Sequence, residues 1–417
     1  MIHADAAIAG GGPAGAALAL RLAQLGHCVV LVERRTPVAR GFAESLAPGV
    51  DVHLQTLGIA VPPHWPVTTK LVRWEGETLA VEAPSRIVDR AVFDAHMLRA
   101  AANAGVMVLQ PASIGSCERA GGRWRIRAGD TEIEAAILAD ATGRAGLLRV
   151  PRRNLSPRAF AIRAHWSNVD APPELRVGRR ADGWMWGAPR GERAYDAAVF
   201  AVGSTPEPKT ALASGELFPF LDCDADMVQV CDATPYVVDE PAGEDWIVLG
   251  DSASTIDPMA SAGVQKALGG AIAGAATIHT ILAAPERTRA AIDFYASKVR
   301  AAAARHATWA AVLYGREAEP RRVPMIEPHR VIGLHPGVRL VDAPVLAGDL
   351  VELRRVVETP SGERLAWLGS ADVAALLAPL RAGMTAAELA RSWRMPPADA
   401  LAAMQWLVTN EVLEGRR

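Results

Sequence analysis

The sequence predicts an α/β fold in which a Rossmann-type domain carries an inserted β-rich domain and is followed by a C-terminal winged-helix-like domain. Three observations lead to this class. They are a glycine-rich βαβ unit at the start, two later strand-to-glycine turns, and a helix-rich segment after a proline-rich stretch. With 417 residues, half of them hydrophobic, the chain is long enough for two or three domains.

The first element is a βαβ unit with the pattern G-x-G-x-x-G. An apolar strand from Asp5 enters Gly10, an Ala/Leu-rich helix runs to Leu25, and a second strand ends at Glu33. Such glycines allow a tight turn and close approach of a pyrophosphate, and free N–H groups at the helix start attract phosphate. Glu33 lies where a carboxylate accepts hydrogen bonds from ribose hydroxyls. The unit predicts a dinucleotide site that contains Gly10, Gly12, Pro13, Ala14, Gly15 and Glu33.

The next segments alternate between helix and sheet. Residues 50–57 are predicted as a helix, 61–84 as sheet and 86–105 as a second helix. Residues 112–138 are predicted as a three-stranded meander broken at glycine-containing turns. Later residues up to 238 alternate polar and apolar side chains, which indicates a mixed or antiparallel sheet.

Two more turns follow apolar strands. The first is Asp140-x-x-Gly143, and the second is Gly250-Asp251, which precedes an Ala-rich helix that opens near Gly263. An aspartate after a buried strand can accept a hydrogen bond from a sugar-alcohol hydroxyl. The helix opening can direct N–H groups at a phosphate or at a polar ring edge.

Residues 337–417 predict a hairpin, three short helices and a closing strand, which is a winged-helix pattern. Thr385 and Glu388 form a capping box for the second helix. From residue 336 onward there are nine arginines, no lysine and ten acidic residues, and the third helix has no basic residue. Because DNA binding needs a cationic face, we expect a peptide or protein dock, or a structural cap, and no nucleic acid.

These segments define four regions. We predict a nucleotide-binding domain formed by residues 1–60, 85–150 and 240–315. A substrate domain is formed by residues 61–84 and 151–239. A linker follows at 316–336, and a winged-helix-like module at 337–417.

Composition narrows the classes further. The net charge of −2 does not suggest a general nucleic-acid binder. The four cysteines form no C-x-x-C pair, so neither a metal site nor a disulfide framework is expected. The start of the chain lacks signal-peptide character, and no unbroken apolar stretch is long enough for a membrane. We therefore expect a reduced, cytoplasmic protein with no membrane partner.

The three turns, in this order, resemble the flavin-dependent aromatic monooxygenases and the related tryptophan halogenases over about residues 1–315. The resemblance implies bound FAD, O2 as co-substrate, and electrons from NAD(P)H or an external reductant. It also implies that an arginine matching Arg90 contacts the FAD. The resemblance and the motifs together assign these residues to FAD: Gly10, Gly12, Pro13, Ala14, Gly15, Glu33, Arg34, Ser45, Arg90, Asp140, Gly250, Asp251, Pro258, Gly263 and Val264.

Two features concern the halogenase branch. The run from Trp184 through Trp186 to Pro189 resembles the halogenase signature W-x-W-x-I-P, with Ala188 in place of isoleucine. Both tryptophans share one strand face, where they either shape a substrate pocket or pack in the core. Halogenases of this branch use a lysine upstream of a sheet tryptophan. Lys70 is too close to the next tryptophan for that spacing, and Pro66 or Val67 occupies the place of that lysine. We therefore interpret Lys70 as a solvated strand residue.

The features of this branch occur here together with the segment Glu44-Ser45-Leu46 and a winged-helix-like tail. This combination resembles, more narrowly, the flavoprotein monooxygenases that hydroxylate a peptidyl tryptophan during quinone cofactor formation. It implies attack of a flavin C4a-hydroperoxide on the indole of a peptide or protein substrate, with another maturation enzyme as a further partner.

The sequence identifies no catalytic base. His165 and Asp257 are weak candidates as proton acceptors, and both residue types are more often structural. The alternatives are a small-molecule indole or phenol hydroxylase, a halogenase, a flavoprotein C=C reductase, and a non-catalytic maturation partner.

Overall fold

The computed structural model describes residues 1–37, 41–74, 76–191, 193–204, 207–212, 217–221, 224–314 and 325–416. The chain divides into two compact units, one of residues 1–279 and 295–317 and one of residues 280–294 and 318–417. The strands up to residue 255 are β1 (Ile2–Ala9), β2 (Val29–Val32), β3 (Ala43–Leu46), β4 (Trp65–Trp74), β5 (Glu77–Asp89), β6 (Met107–Leu109), β7 (Ile114–Ala120), β8 (Arg123–Ala128), β9 (Thr131–Asp140), β10 (Arg152–Asn154), β11 (Ala159–Ser167), β12 (Leu175–Arg180), β13 (Gly183–Pro189), β14 (Ala194–Val202), β15 (Met227–Asp232), β16 (Tyr236–Val238), β17 (Trp246–Val248) and β18 (Ser254–Thr255). The helices up to residue 313 are α1 (Pro13–Gln24), α2 (Val50–Thr56), α3 (Arg90–Asn103), α4 (Pro208–Leu212), α5 (Gly263–Ala283) and α6 (Thr288–Leu313).

The first sheet has the Rossmann-type arrangement. Its order is β6-β2-β1-β9-β8-β7, with β17 also paired to β9, and the pairs β1–β2, β1–β9, β2–β6 and β9–β17 are parallel. The antiparallel pairs β7–β8 and β8–β9 form the predicted meander. Because β1 and β2 are buried on both faces, they are nearly continuous apolar runs. The mixed α/β class is confirmed.

The second sheet has two different faces. Its order in the described part of the chain is β15-β11-β14-β13-β12-β4-β5-β3. One face packs on an apolar core that contains Ile162, Met185, Tyr195 and Val199. The other face carries Trp184, Val177 and their neighbours. Alternation along each strand therefore separates a packed core from a second face that is open to a ligand.

The prediction of a helix from residue 86 is wrong for its first four residues. Residues 86–89 continue β5 and pair with β3, and α3 begins only at Arg90. The Asp89 carboxylate accepts hydrogen bonds from the N–H groups of Ala91 and Val92, which fixes the helix start at this point.

The second unit contains a long hairpin and three short helices. The hairpin is β20 (Arg339–Ala347) and β21 (Leu350–Glu358), after β19 (Ile332–Leu334); the shorter strands are β22 (Arg364–Leu365), β23 (Trp367–Leu368), β24 (Ala371–Asp372) and β25 (Leu413–Gly415). The helices are α7 (Val373–Leu377), α8 (Ala386–Ser392) and α9 (Pro397–Thr409), and the capping box of Thr385 and Glu388 is present. Residues 316–324 of the predicted linker lie outside the described residues. The end of the predicted linker contains β19, which pairs with β25 at the end of this unit. Winged helix stays a prediction for this unit.

Helix α5 is long and apolar enough to cross a membrane by length and composition, with a mean hydropathy of 1.2. This corrects the expectation that no such stretch exists. Half of its most apolar window is buried inside the protein, as in the core helix of a globular protein.

Candidate functional site

A cleft of about 850 Å³ lies in the first unit, lined by the glycine-rich turn of the Rossmann sheet and by one face of the second sheet. Most residues assigned to FAD line it, namely Gly10, Gly12, Pro13, Ala14, Glu33, Arg34, Ser45, Arg90, Gly250, Asp251, Pro258, Gly263 and Val264. Trp184 and Trp186 line it as well. Four named candidates do not line it: Gly15, Asp140, His165 and Asp257.

The glycine turn has the close packing that the sequence predicts. Gly10 has φ of +103°, a conformation that other residues rarely adopt, and a Cβ on Gly15 would lie 1.9 Å from the Gly10 carbonyl oxygen. The first turn of α1 has no side-chain cap. Its N–H groups therefore face a cleft lined by Gly12 and Ala14. Gly15 acts behind the cleft, by allowing the helix to approach the strand.

Glu33 closes this turn from the end of β2. Its carboxylate accepts hydrogen bonds from the N–H groups of Gly11 at 2.6 Å and Arg35 at 2.7 Å. Burial raises the pKa of Glu33, but the hydrogen bonds from Arg35 and Gly11 outweigh it and lower the pKa below its usual value. Glu33 is therefore an ionised acceptor at the edge of the cleft.

The Gly250 turn packs directly on the first turn of α1. Gly250 has φ of +61°, and a Cβ there would lie 2.7 Å from the Ala14 Cβ. Asp251 is half-exposed in the cleft and pairs with Lys266 of α5 at 3.0 Å. Lys266 also donates to the Ser254 carbonyl, so its ammonium fixes the turn after Gly250. Two motifs 240 residues apart in sequence thus form one surface.

Asp140 does not have the role that the sequence predicts. It is 1% exposed, and its carboxylate accepts hydrogen bonds from Thr142 N, Thr142 Oγ1, Leu148 N and Ser252 Oγ at 2.6–3.0 Å. These hydrogen bonds hold the carboxylate against the loop, and Asp140 is not among the residues that line the cleft. The correction is that Asp140 shapes the loop that lines the cleft and does not contact its contents.

Arg90 lies in a half-buried charge cluster on the cleft wall. It pairs with Glu44 at 2.6 Å and with Asp94 at 3.1 Å. Burial lowers the pKa of Arg90, but the two carboxylates outweigh burial and raise the pKa overall. Burial raises the pKa of Asp94 despite Arg90. The sequence predicted Arg90 but did not predict its partners.

Arg163 is a cleft residue that sequence reasoning missed. It lies on β11, and its guanidinium carbon is 4.1 Å from the centre of the Phe42 ring. Burial is the main cause that lowers the pKa of Arg163. The available signal was alternation, because Ala161 and Arg163 share one strand face, but the sequence alone could not say which face is open. Phe200, on β14, was missed for the same reason, whereas Arg144 lies in the turn after β9, where no strand alternation applies.

Aromatic rings form the cleft floor. Trp184 is buried and stacks on Phe200 with ring centres 4.2 Å apart and planes 16° apart. Its Nε1–H is buried and has no hydrogen-bond partner. Trp186 lies in the next row of the sheet, opposite the small Ala198. The floor therefore offers flat apolar contact, a setting that suits an aromatic ring.

The two proton-acceptor candidates are structural. His165 Nδ1 lies 2.5 Å from Asp196 Oδ1, and Asp196 Oδ2 accepts from Ala43 N at 2.5 Å. Asp257 accepts from Met259 N at 3.0 Å and from the Tyr314 hydroxyl at 2.9 Å. Neither side chain lines the cleft. The structural interpretation, which the sequence already favoured for both residue types, therefore describes these side chains, because each has partners within the fold.

Lys70 also differs from expectation. It pairs across the sheet with Leu175 and is half-buried, and burial lowers the pKa of its ammonium group. It does not line the cleft. Val67, near the place of the halogenase lysine, is buried in the cluster that contains Trp184.

The residues present fit FAD. An uncapped helix start, the carboxylate of Glu33, a second glycine turn and aromatic side chains all line the cleft. No group of three or more His, Cys, Asp or Glu side chains with metal-binding geometry occurs among the described residues. The fold and the site define a flavoprotein oxidoreductase.

The chain belongs to the tryptophan halogenase family, whose model matches residues 69–319. It is similar to the tryptophan 2-halogenase of Chondromyces crocatus, with 29% identity over 69% of this chain and 63% of that protein. It is also similar to a digeranylgeranylglycerophospholipid reductase of Methanosphaera stadtmanae, with 25% identity over 64% and 76%. The chain thus matches less than two thirds of the length of the halogenase.

Two solved structures match almost the whole chain. The peptidyl tryptophan dihydroxylase QhpG, essential for tryptophylquinone cofactor biogenesis, has a TM-score of 0.76 and 25% identity over 97% of this chain and 99% of its own. The flavin-dependent halogenase CmlS has a TM-score of 0.78 and covers 100% and 96%, with 18% identity. Because the identity to CmlS is only 18%, that similarity concerns the fold alone. The chain is an FAD-dependent, monooxygenase-type enzyme.

Proposed function

We propose that this enzyme hydroxylates a tryptophan side chain of a peptide or protein substrate during formation of a protein-derived quinone cofactor. The observation that carries the proposal is the end-to-end likeness to QhpG, which extends through the C-terminal unit. The apolar Val67 near the position of the halogenase lysine supports it, because a hydroxylase needs no halogen carrier. We further propose that the enzyme is cytoplasmic.

Bound, reduced FAD supplies the activation of O2. The residues of this chain bind and orient. The start of α1 and Glu33 hold the ADP half of the cofactor, and the start of α5 presents N–H groups to the ring. Trp184, Trp186 and Phe200 exclude water and hold an aromatic ring face-on.

No buried base is required by this chemistry. An indole is electron-rich, so attack by an electrophilic oxygen does not need prior removal of a proton. A cleft lining without His165 and Asp257 is consistent with chemistry that needs no buried base. The ring proton can then be transferred to water at the cleft mouth.

The test is a mass measurement on a tryptophan-bearing peptide. Protein loaded with FAD, supplied with a flavin reductase and NADH in air, is expected to add one or two oxygen atoms to the tryptophan. A matched peptide with phenylalanine at that position is the control. Oxygen gain on free indole alone, with none on any peptide, would contradict the proposal.

The alternative function is halogenation, which the family match and the halogenase relative favour. Among the described lysines, Lys70 comes nearest to the role of the halogenase lysine, because burial lowers the pKa of its ammonium group and so favours the free amine. Bromide in the same assay distinguishes the two. Bromination that is lost in Lys70→Met and also in Lys70→Arg, whose guanidinium stays protonated and cannot supply a free amine, would establish the halogenase, and bromide-independent oxygen gain would exclude it.

A further inference from the structure

An open sheet edge lies on the cleft side of the second sheet. Strand β5 pairs with β4 along residues 77–87, but on its other side it pairs with β3 only at residues 86–89 in the described part of the chain. Within residues 77–83, every second residue therefore points its main-chain N–H and C=O groups away from β4, toward a side that no described strand pairs. Pro84 and the carboxylates of Glu77 and Glu82 limit which strands can add to this edge.

The exposed apolar side chains of this edge lie on the same sheet face as the cleft. Leu79 is 58% exposed and Val81 is 44% exposed. Leu79 pairs with Val72, Val72 with Val177, and Val177 with Trp186. Residues paired across a sheet share a face, so this row runs from the open edge to the aromatic floor of the cleft. We call residues Leu79, Val72, Val177, Trp186, Ala198 and Arg163 the cleft row.

The opposite edge of the same sheet is a contrast. On β15, Val228 and Val230 are also 45% exposed. They pair with Ala164 and Ile162, which belong to the apolar core on the other face. Their side chains thus point away from the cleft, and that edge cannot guide a ligand along the cleft row.

We propose that the open edge of β5, residues 77–85, docks the polypeptide substrate as an added strand, an inference that rests on the proposed function. Main-chain pairing recognises a polypeptide and gives nothing to a free indole. Glu77 and Glu82 are exposed and bracket the apolar stretch. The segment that pairs there is therefore apolar at its centre and neutral or basic at its ends.

Sheet geometry fixes where the tryptophan lies relative to the docked segment. The added strand lies four strand spacings from β13, or about 19 Å at about 4.8 Å each. An extended chain covers about 3.3 Å per residue, so about six residues separate the docked segment from the target tryptophan. The docked strand therefore flanks the tryptophan and does not contain it.

The test uses a synthetic peptide with a Lys-Val-Thr-Val-Thr-Lys segment, a six-residue Gly/Ser spacer and one tryptophan. In the FAD-loaded enzyme this peptide is expected to protect from hydrogen exchange those alternate amides of residues 78–81 that face the open edge. Leu79→Glu/Val81→Glu is expected to raise the peptide Kd and KM at least tenfold. The same variant leaves turnover of free indole unchanged. Val228→Glu/Val230→Glu, at equal exposure on the opposite edge, is the control and should bind like wild type.

The outcomes separate the two proposals. Oxygen gain on the peptide, with no protection at 78–81 and no effect of the β5 variant, overturns the docking strand and leaves the proposed function intact. Protection and variant-sensitive binding without any oxygen gain supports the docking strand and overturns the proposed function. If protection rises with enzyme concentration alone, and light scattering detects a dimer that the β5 variant dissolves, the edge pairs with a second copy and the inference fails.

Discussion

Replacing Asp140 distinguishes two roles for its carboxylate, which are holding the loop in place and binding a ligand. In Asp140→Ala the N–H groups of Thr142 and Leu148 lose their acceptor inside the protein. The Ser252 hydroxyl also donates to the Gly143 carbonyl at 3.1 Å, so it keeps a partner. Two part-buried N–H groups then lose their acceptor, and because water can reach them in part each costs less than the roughly 1–3 kcal/mol of a fully buried group. We expect the free energy of unfolding to fall by about 1–3 kcal/mol.

The assay is urea unfolding of the FAD-free protein, followed by tryptophan fluorescence, with FAD affinity measured separately. Asp251→Asn is the matched control, because Asp251 is half-exposed in the cleft and does not hold the loop through buried N–H groups. It should unfold almost like wild type and bind FAD more weakly. If FAD-free Asp140→Ala unfolds at the wild-type urea concentration and only its FAD affinity falls, our assignment of Asp140 is wrong.

Three further predictions concern the cofactor cleft. Gly15→Ala should abolish FAD binding, because its Cβ would lie 1.9 Å from the Gly10 carbonyl oxygen, whereas Gly270→Ala in α5 meets no atom within 4 Å and should bind FAD normally in a fluorescence titration. The hydrogen bonds that depress the folded-state pKa of Glu33 stabilise the turn above the unfolded carboxyl pKa of about 4.3. That stabilisation is lost as the pH falls through the lower folded-state value, so FAD should be released in acid, with no such step in Glu33→Gln. Arg163→Met removes a cation from the cleft lining and should shift the reduction potential of the bound flavin to more negative values, since positive charge in the cleft favours the anionic reduced flavin; Arg163→Lys is the control, and an unchanged potential would refute this expectation.

Local sequence patterns predicted the parts of the site that depend on local geometry. The turn at Gly10, the acceptor at Glu33 and the capping box at Thr385 each involve residues that are close in sequence or in one βαβ unit. The same holds for the shared face of Trp184 and Trp186, which follows from strand alternation.

What the sequence could not predict depends on partners distant along the chain. The four donors that occupy Asp140 include Ser252, and the carboxylate that engages His165 is Asp196. Neither pair has a local signal in the sequence. Asp140 was therefore assigned to FAD from its family position, and His165 was named a weak candidate because its side chain titrates. The cleft-side position of Arg163 depends on which sheet face stays open, and only the packed structure decides that.

The hydrogen bond from Gly11 N–H to Glu33 has a kinetic consequence. Together with the Arg35 N–H bond, it holds the glycine turn in its binding shape within the protein alone. The conformational entropy of ordering that turn is therefore lost when the chain folds and not when the cofactor arrives. FAD capture at this end should follow a single exponential whose rate rises linearly with FAD concentration, without a plateau set by slow loop ordering.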